Sequence, residues 1–396
     1  MVFKTINERQ KRKPLDSWIK TYLGIFLFAA VFVAGCGNEH SEQTGNAAQD
    51  VVLGAVLPLT GEVASWGEDS SDGIQLAIEQ ANEMQDAYHF SVVFEDSKGS
   101  PADAVAGIRK LIAVDKVVGI IGDNVSGPTV AMVPFADRAQ IPLISPSASS
   151  PKLSGMSRYF FRVYPSDTAE GSVMGETAAN RLSLERVAIL YVNNDFGTGL
   201  RDIFSSRFGE LDGTISRAMG YNQDETDFRP YLTRLLDDEP QGIYLAGYYK
   251  DGGAILKQAR ELGIKAVFMG STTHEDPELL KIAKDAAEGF IYPFSTGYDE
   301  NNTAAAVTGF RSAFEKMYSK NPGLVAALGY DCARLLIEAV ESIGLDSEKI
   351  RDYLAGVKEY QGASGEISFD LNGDVHKPVI LKTVNNGRFV PWQPGK

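Results

Sequence analysis

Two short stretches of the chain are rich in hydroxyl groups. "GDNVSGPTVAM" carries Ser126 directly before Gly127-Pro128, and "ISPSASSP" carries four serines, of which Ser147 and Ser149 alternate. A serine with a proline two residues later is typical of the start of a helix. The unpaired N–H groups of a first helical turn, together with the serine hydroxyl, can bind an anion. Two such loops around one crevice can surround a carboxylate with neutral donors, without a buried arginine. The alternative is that Ser126 only caps its helix and that the second loop is an ordinary surface turn.

Aromatic side chains occur in similar positions elsewhere. Trp66 lies in the loop "TGEVASWGEDSSDG", Phe196 in "VNNDFGTG", and Tyr248 and Tyr249 in "AGYYKDGG". A tryptophan offers a flat apolar wall with one indole donor, and the other rings can close over a small ligand. For each of the four, the alternative is packing in the protein core.

Motifs for catalysis are absent from the sequence. It contains no GxSxG, P-loop, HExxH or CxxC pattern, and its four histidines lie in unrelated segments. "NDFGTG" lacks the third glycine of a dinucleotide fingerprint. "DLNGDVH" lacks the glycine and the distal acid of a calcium loop, so a hairpin turn at Asn372-Gly373 is the better interpretation. We therefore expect no cofactor and no metal, and we favour binding over catalysis, although an enzyme with an unfamiliar site stays open.

Strand-like and helical stretches alternate along the chain in two series, and the serine and aromatic loops lie between them. Apolar runs such as "VVLGAVLP" and "VVGIIGD" alternate with amphipathic stretches from Val51, and the rhythm restarts after Pro165 with "RVAILYV" and "GIYLAGYY". Continuous apolar strands joined by helices predict parallel sheets that are buried on both faces. The fold class is therefore α/β, with two doubly wound, Rossmann-like lobes. In such folds ligands bind at the carboxyl ends of the strands, and the serine and aromatic loops follow predicted strands.

The first 35 residues differ from the rest of the chain. Six basic residues precede the uncharged apolar segment "TYLGIFLFAAVFVAGC", which ends at Cys36. This order is typical of a signal peptide, and the segment is shorter than the roughly 20 residues that a membrane-spanning helix needs. "VAGC" resembles the lipobox of bacterial lipoproteins. It predicts cleavage after residue 35, lipidation of Cys36 and a flexible tether over 36–50. The alternative is an uncleaved anchor with a buried cysteine.

Charge and cysteine content narrow the choice of partners. The chain has a net charge of −14, and residues 1–35 carry six basic and two acidic groups (+4), so the processed chain carries −18. This charge argues against nucleic acid as a partner. After processing and lipidation of Cys36, Cys332 is the one free thiol, which excludes an intramolecular disulfide. Its helical context, "ALGYDCARLLIEAV", predicts a packed core thiol.

From Val51 to Trp392 the chain resembles the type I periplasmic binding proteins of amino-acid ABC importers, the leucine/isoleucine/valine-binding family. The resemblance rests on "GIIGDNVSGPTVAMVPFADRAQIPLISPSASSPKLS", "TGEVASWG", "AGYY" and "VFMG". It implies a carboxylate-binding serine at Ser126, a backbone carbonyl contact to the ligand ammonium at Ser147, a hydroxyl contact at Ser149, aromatic contacts at Trp66 and Phe196, and a cleft tyrosine at Tyr248 or Tyr249.

One position departs from the family pattern. In "FMGSTTHEDP" the resemblance places Thr272 where amino-acid binders carry a glutamate for the ligand's ammonium, with Glu275 three residues later. A threonine cannot neutralise a buried cation, and an unpaired buried charge costs several kcal/mol. Either Glu275 or Asp195 substitutes for the glutamate, or the ligand has no α-ammonium.

The resemblance also implies two lobes joined by three hinge segments, near residues 164–166, 294–296 and 370–374. The expected division is lobe 1 over 51–165 and 296–371, and lobe 2 over 166–295 and 372–396. The implied function is that of an exported, membrane-anchored, monomeric lipoprotein. It would capture a small carboxylate-bearing ligand, with a branched-chain amino acid favoured, and deliver it to an ABC permease. The alternatives are a ligand without an α-ammonium, and a sensor or regulatory lipoprotein of the same fold.

Overall fold

The structure is a computed structural model that describes residues 48–84, 87–295, 297–298 and 302–393. Its strands are β1 (Gln49–Leu57), β2 (Tyr88–Asp96), β3 (Ile120–Gly122), β4 (Leu143–Ser145), β5 (Phe160–Arg162), β6 (Arg186–Val192), β7 (Thr214–Tyr221), β8 (Gly242–Ala246), β9 (Val267–Met269), β10 (Ile291–Ser295), β11 (Tyr360–Gly362), β12 (Gly365–Ile367), β13 (Val379–Asn385) and β14 (Arg388–Pro391). Its α-helices are α1 (Ala64–Met84), α2 (Pro101–Lys110), α3 (Ser126–Ala139), α4 (Asp167–Glu176), α5 (Asp195–Glu210), α6 (Arg229–Leu236), α7 (Tyr249–Glu261), α8 (Pro277–Ala283), α9 (Ala305–Tyr318), α10 (Leu324–Ile343) and α11 (Ser347–Ala355).

Lobe 1 is built on a sheet of five parallel strands in the order β2-β1-β3-β4-β5. Leu53, Ala55 and Val56 of β1 are all fully buried, as the continuous apolar run predicts for a strand covered on both faces. α10 returns to this lobe and packs closely on α1. A Cβ atom on Gly73 would lie only 2.0 Å from the carbonyl oxygen of Ala326.

Lobe 2 is built on a sheet of seven strands in the order β14-β13-β10-β9-β8-β6-β7. Strands β6 to β10 are parallel, and β13 joins the edge antiparallel to β10. β13 and β14 form a hairpin whose turn residues, Asn386 and Gly387, both have positive φ angles, as a two-residue hairpin turn requires. In the core, Phe204 and Tyr244 stack with ring centroids 4.1 Å apart.

The chain passes between the lobes after β5, after β10 and before β13. For the third passage we expected residues 370–374, but the structure places that turn against lobe 1. The Arg162 amide donates a hydrogen bond to the Gly373 carbonyl at 3.0 Å, so the turn extends the edge of β5. Lys377 still donates to the turn between β11 and β12. The passage therefore lies between Lys377 and Val379.

Three further features bear on the sequence predictions. Cys332 is buried within α10, which confirms the packed thiol. In the described ranges, no helix has the length and apolar character that crossing a membrane requires. Cys36, the expected signal peptide and residues 36–47 of the expected tether lie outside the described residues. Gln49 and Asp50, which we assigned to the expected tether, belong to β1.

Candidate functional site

A cleft of about 980 Å³ lies between the carboxyl ends of the strands of the two lobes. Loops after β3, β4, β6, β8 and β9 contribute to it, which is where a doubly wound fold places a ligand. The sequence-predicted residues that line the cleft are Trp66, Ser126, Ser147, Ser149, Phe196, Tyr248, Thr272 and Glu275.

Ser126 is the first residue of α3, and the loop after β4 covers it. Its Oγ accepts hydrogen bonds from the Ser149 amide at 3.3 Å and the Ser150 amide at 3.1 Å, so the hydroxyl proton remains to be donated. In the first turn of α3, Pro128 has no N–H group and the Thr129 amide donates to the Val125 carbonyl oxygen, so the amides of Ser126 and Gly127 are the ones without an acceptor inside the helix. The Ser126 hydroxyl and these amides therefore form a neutral donor set at the positive end of a helix dipole, which suits a carboxylate.

A buried arginine holds the serine loop from behind. Arg162 at the end of β5 is fully buried. Its guanidinium donates to the carbonyl oxygens of Ala148 at 3.3 Å and Ser150 at 3.0 Å, and to Asp374 Oδ1 at 2.6 Å. Because Asp374 neutralises the arginine, the pair fixes the loop without adding net charge beside the cleft. The serine loop thus depends on an ion pair between residues that are distant in sequence.

Ser147 uses its hydroxyl within the protein. Its Oγ donates to the Asn124 carbonyl oxygen at 3.1 Å and accepts from Asn124 Nδ2 at 3.1 Å. The same amide group donates to Ser70 Oγ at 2.9 Å. Asn124 also lines the cleft, and the sequence analysis missed it. These bonds join the loops after β3 and β4 to α1, so the Ser147 side chain positions the loops.

Three aromatic rings from both lobes form an apolar wall. Tyr248 stacks on Phe196 with centroids 5.2 Å apart, and Trp66 meets Tyr248 edge-on at 5.6 Å. Asn194 Nδ2 donates to the Tyr248 hydroxyl at 3.1 Å, which helps to fix the orientation of the ring. Such a wall suits the uncharged part of a small ligand.

Tyr249 does not line the cleft, so Tyr248 is the cleft residue of the two alternatives. The Tyr249 ring lies 5.6 Å from that of Trp66. Its hydroxyl lies 2.8 Å from Ser65 Oγ and donates to the Glu62 carbonyl oxygen at 3.1 Å. The two neighbours differ because α7 begins between them: Tyr248 has extended backbone, and Tyr249 is helical. Tyr249 therefore connects the lobes instead of facing the ligand space.

A pair of carboxylates that the sequence analysis missed lines the cleft at the start of α4. Asp167 and Glu170 are almost fully buried and stand one helical turn apart. Glu170 accepts from the Tyr164 hydroxyl and from the Thr272 amide at 3.2 Å, and the Thr272 hydroxyl lies 2.6 Å from Glu170 Oε1. Asp167 Oδ2 has no hydrogen-bond partner among the described residues. The sequence offered one signal for these two residues: "VYPSDTAEG" directly follows β5, and the carboxyl end of a strand is where this fold places a ligand.

Burial raises the pKa values of this pair. Desolvation is the largest cause and raises the pKa of Asp167 to about 8; the charge of Glu170 raises it as well, whereas a Ser149 hydrogen bond and the charge of Arg162 lower it. Desolvation also raises the pKa of Glu170, opposed by hydrogen bonds from Thr272 and Tyr164. A bound cation would favour the ionised forms of both carboxyl groups. Burial also raises the pKa values of the neighbouring phenols, which stay neutral: Tyr164, Tyr244 and Tyr248.

The two acidic residues that we expected to replace the family's glutamate are already paired. Glu275 lines the cleft, but it accepts from Lys382 Nζ at 2.5 Å and from the Tyr292 hydroxyl at 2.7 Å. Asp195 lies 2.5 Å from Lys152 Nζ and does not line the cleft. Neither residue can neutralise a ligand cation without giving up its own partner.

The lobes contact each other beside the cleft. Tyr249 meets Ser65, and Ser150 Oγ donates to the Asp195 carbonyl oxygen at 3.3 Å. Trp66 of lobe 1 also packs into the hydrophobic core of lobe 2. The structure therefore shows the two lobes closed around the cleft.

A family model described as periplasmic binding protein matches residues 50–388, which include both lobes and the cleft. The chain belongs to the periplasmic binding protein family. This assignment and the solved structures below confirm the expected two-lobed α/β fold of type I.

Three similar proteins are named for amino acids or were solved with one. The leucine-, isoleucine-, valine-, threonine- and alanine-binding protein of Pseudomonas aeruginosa is 26% identical over 354 residues, which cover 88% of this chain and 92% of that protein. The leucine-binding protein LivK from Thermotoga maritima is 29% identical, with a TM-score of 0.81 over 87% of this chain and 98% of that one. The substrate-binding protein LivJ from Streptococcus pneumoniae, solved with isoleucine, is 28% identical, with a TM-score of 0.79 over 86% and 98%.

Proposed function

We propose that this periplasmic binding protein captures a small carboxylate-bearing ligand, an amino acid of the branched-chain type, and delivers it to the permease of an ABC importer. The observation that carries the proposal is the juxtaposition of a neutral carboxylate site at the start of α3 with the aromatic wall. The amino acids named for the Pseudomonas aeruginosa protein, LivK and LivJ support the same choice of ligand class, and a Rhodopseudomonas palustris protein solved with 3,4-dihydroxybenzoic acid represents the alternative of an acid without an α-ammonium.

The cleft has separate places for the two ends of such a ligand. Ser126 and the first-turn amides of α3 can donate to the carboxylate. Trp66, Phe196 and Tyr248 can cover an aliphatic side chain, whose burial contributes roughly 1.5–3 kcal/mol for a side chain the size of valine or leucine. A ligand held in this way is recognised, and no bond in it has to be broken.

Closure of the lobes would couple ligand capture to transport. The serines belong to lobe 1, whereas Phe196 and Tyr248 belong to lobe 2, so only the closed arrangement lets both sets contact one ligand. The ligand then favours the closed state because its affinity for the two states differs. A permease that recognises the closed state would receive loaded protein.

The membrane attachment of the protein is part of the proposal. Lipidation of Cys36 would anchor a monomeric, exported domain to a membrane through the tether before β1. Cys36→Ser is expected to abolish incorporation of labelled fatty acid in cells. Labelling that persists in this variant would contradict the anchor but not ligand capture.

The proposal is tested by calorimetric titration of the protein with leucine, isoleucine and valine. Ser126→Ala removes one hydrogen bond to a charged group, worth about 1.5–3 kcal/mol, so the dissociation constant is expected to rise about 10- to 150-fold. Ser206→Ala is the matched control, because Ser206 is exposed on α5, and it is expected to bind as the wild type does. Equal affinities for the two variants would contradict the carboxylate site.

A further inference from the structure

We propose that Lys377 is a positioning residue for ligand capture. Together with Asp331 and Ser364, it attaches two of the three passages between the lobes to one turn of lobe 1, so that the lobes close along a defined path. None of these three residues lines the cleft. The inference rests on the proposed function only because closure around a ligand is the motion that such an attachment would guide.

The turn in question joins β11 and β12, and Asp331 of α10 holds it from inside lobe 1. Asp331 is fully buried. Its Oδ1 accepts from the Ala363 amide and its Oδ2 from the Ser364 amide, each at 2.7 Å. Gly362 leaves room for this contact, since a Cβ atom there would lie 2.6 Å from Asp331 Oδ2. Two charge-assisted hydrogen bonds to a buried carboxylate fix the turn to the core of the lobe.

Lys377 attaches the third passage to this turn. It is the last residue on the lobe 1 side of the passage and is 9% exposed. Its Nζ donates to the carbonyl oxygen and to Oγ of Ser364, both at 2.9 Å. Desolvation lowers the pKa of Lys377 to about 8, and the charge of Asp331 opposes this shift. Ser364 therefore connects a buried carboxylate to a buried amine, donating to the first and accepting from the second.

The second passage, which follows β10, packs against the same turn. A Cβ atom on Gly297 would lie 2.0 Å from the Ser364 carbonyl oxygen, and one on Gly365 would lie 2.5 Å from Gly297 Cα. Gly365 also has a φ angle of +97°, which favours glycine. Both passages therefore leave lobe 1 from contacts with a single residue, Ser364.

Attachment to one turn restricts how the lobes can move. When the lobe 1 ends of two passages are fixed, only the few residues beyond them can absorb the rotation, as in a hinge. The ligand-free protein then samples mainly arrangements from which the cleft can close, and a larger closure-competent fraction raises the apparent affinity. Loss of the attachment would widen the range of arrangements and leave the groups that line the cleft unchanged.

The test measures the distance between the lobes in the ligand-free, full-length protein in detergent. Spin labels are attached at Glu68→Cys on α1 and Lys257→Cys on α7, two exposed positions on different lobes, and Cys332 is buried. Double electron–electron resonance gives the distribution of distances between the labels. Lys377→Met keeps the aliphatic chain and removes the amine, so we expect the distribution to become about twofold wider.

Lys110→Met is the matched control for the loss of an amine. Lys110 also makes two hydrogen bonds within lobe 1, to Glu95 and Asp115, but it lies on α2, away from the passages. The distribution of distances for this variant is expected to match that of the wild type.

Gly297→Ala tests the second passage independently. The added methyl group would overlap the Ser364 carbonyl oxygen, so the passage has to move away from the turn, and we expect the distribution to widen here as well. Gly309→Ala is the matched control, because a Cβ atom at this exposed position of α9 meets nothing within 4 Å.

Leucine binding separates a role in the hinge from a role in the site. Since the groups that line the cleft are unchanged, stopped-flow measurements on Lys377→Met should show several-fold slower association and a release rate within about twofold of the wild type. Faster release with unchanged distances between the lobes would mean that Lys377 acts on the closed cleft, which would overturn the proposal.

The failures of the two proposals are distinguishable. Unchanged distances in both Lys377→Met and Gly297→Ala, or an equal widening in their controls, would overturn the attachment and leave ligand capture intact. A wild type that binds neither leucine, isoleucine nor valine would overturn the proposed function, and the ligand-free distances would still decide the attachment. If Lys377→Met does not fold, Gly297→Ala decides the question.

Discussion

Asp374→Asn is expected to destabilise lobe 1 and to loosen the serine loop at the same time. The substitution preserves the size of the side chain and removes the charge that neutralises Arg162. Arg162 is fully buried and the Asp374 side chain is only 8% exposed, with Nε and Oδ1 separated by 2.6 Å. Water therefore cannot replace the lost carboxylate without opening the structure.

The magnitude follows from the remaining partners of the arginine. Breaking a buried ion pair by removing one partner costs about 3–5 kcal/mol. Arg162 keeps its bonds to Ala148, Ser150 and Ser154, and asparagine can still accept one hydrogen bond. We therefore expect the lower end, a loss of about 3 kcal/mol in the free energy of unfolding, which is on the order of 100-fold in the folding equilibrium.

Urea unfolding followed by tryptophan fluorescence measures this loss. Asp238→Asn is the control, because the Arg217–Asp238 pair has a similar separation of 2.5 Å but lies at the surface, with 43% and 25% of the side chains exposed. A surface pair contributes about 0–1 kcal/mol. Equal losses for Asp374→Asn and Asp238→Asn would refute the reasoning that burial makes the Arg162 pair essential.

Two further outcomes follow from the closed cleft. Tyr249→Phe removes the hydroxyl group that bonds to Ser65 and to the Glu62 carbonyl oxygen across the lobes. Stopped-flow measurements should show several-fold faster ligand release and a nearly unchanged association rate. An unchanged release rate would mean that these bonds do not hold the lobes closed. The pKa of Asp167 is raised to about 8 before binding, and a bound cation favours the ionised form of this carboxyl group. The affinity for leucine should therefore rise between pH 6 and pH 8, and binding should release protons. Calorimetry in two buffers of different ionisation enthalpy measures this release. A flat profile over that range, or one that also rises for Asp167→Asn, would contradict this linkage.

Much of the architecture could be predicted from local pattern. The apolar run around Leu53 required a strand covered on both faces, and the alternation of such runs with helices required parallel sheets. That topology placed Ser126, Ser147 and Phe196 at strand ends and therefore in one cleft. The family match then confirmed the fold that these patterns imply.

The acidic part of the site could not be predicted in the same way. Asp167 and Glu170 are short-range neighbours on α4, and nothing in their spacing distinguishes them from the ordinary acidic residues of a first helical turn. Their meaning depends on burial, on the contact with Thr272, and on the absence of a donor for Asp167 Oδ2 in the described residues. These properties come from contacts with segments that are distant in sequence, such as the loop after β9, and they appear only when the chain is folded.

The sequence by itself determined the strands, the helices and the loops that reach the cleft, because these depend on periodicity and on residues close together in the chain. Tertiary structure alone decided which side chains in those loops are available to a ligand. It turned Tyr249 towards Ser65, paired Glu275 with Lys382, and set Arg162 behind the serine loop with Asp374 as its partner. Hydrogen bonds and ion pairs between distant residues satisfy some polar groups and leave others for the ligand, and that distribution is a property of the folded protein.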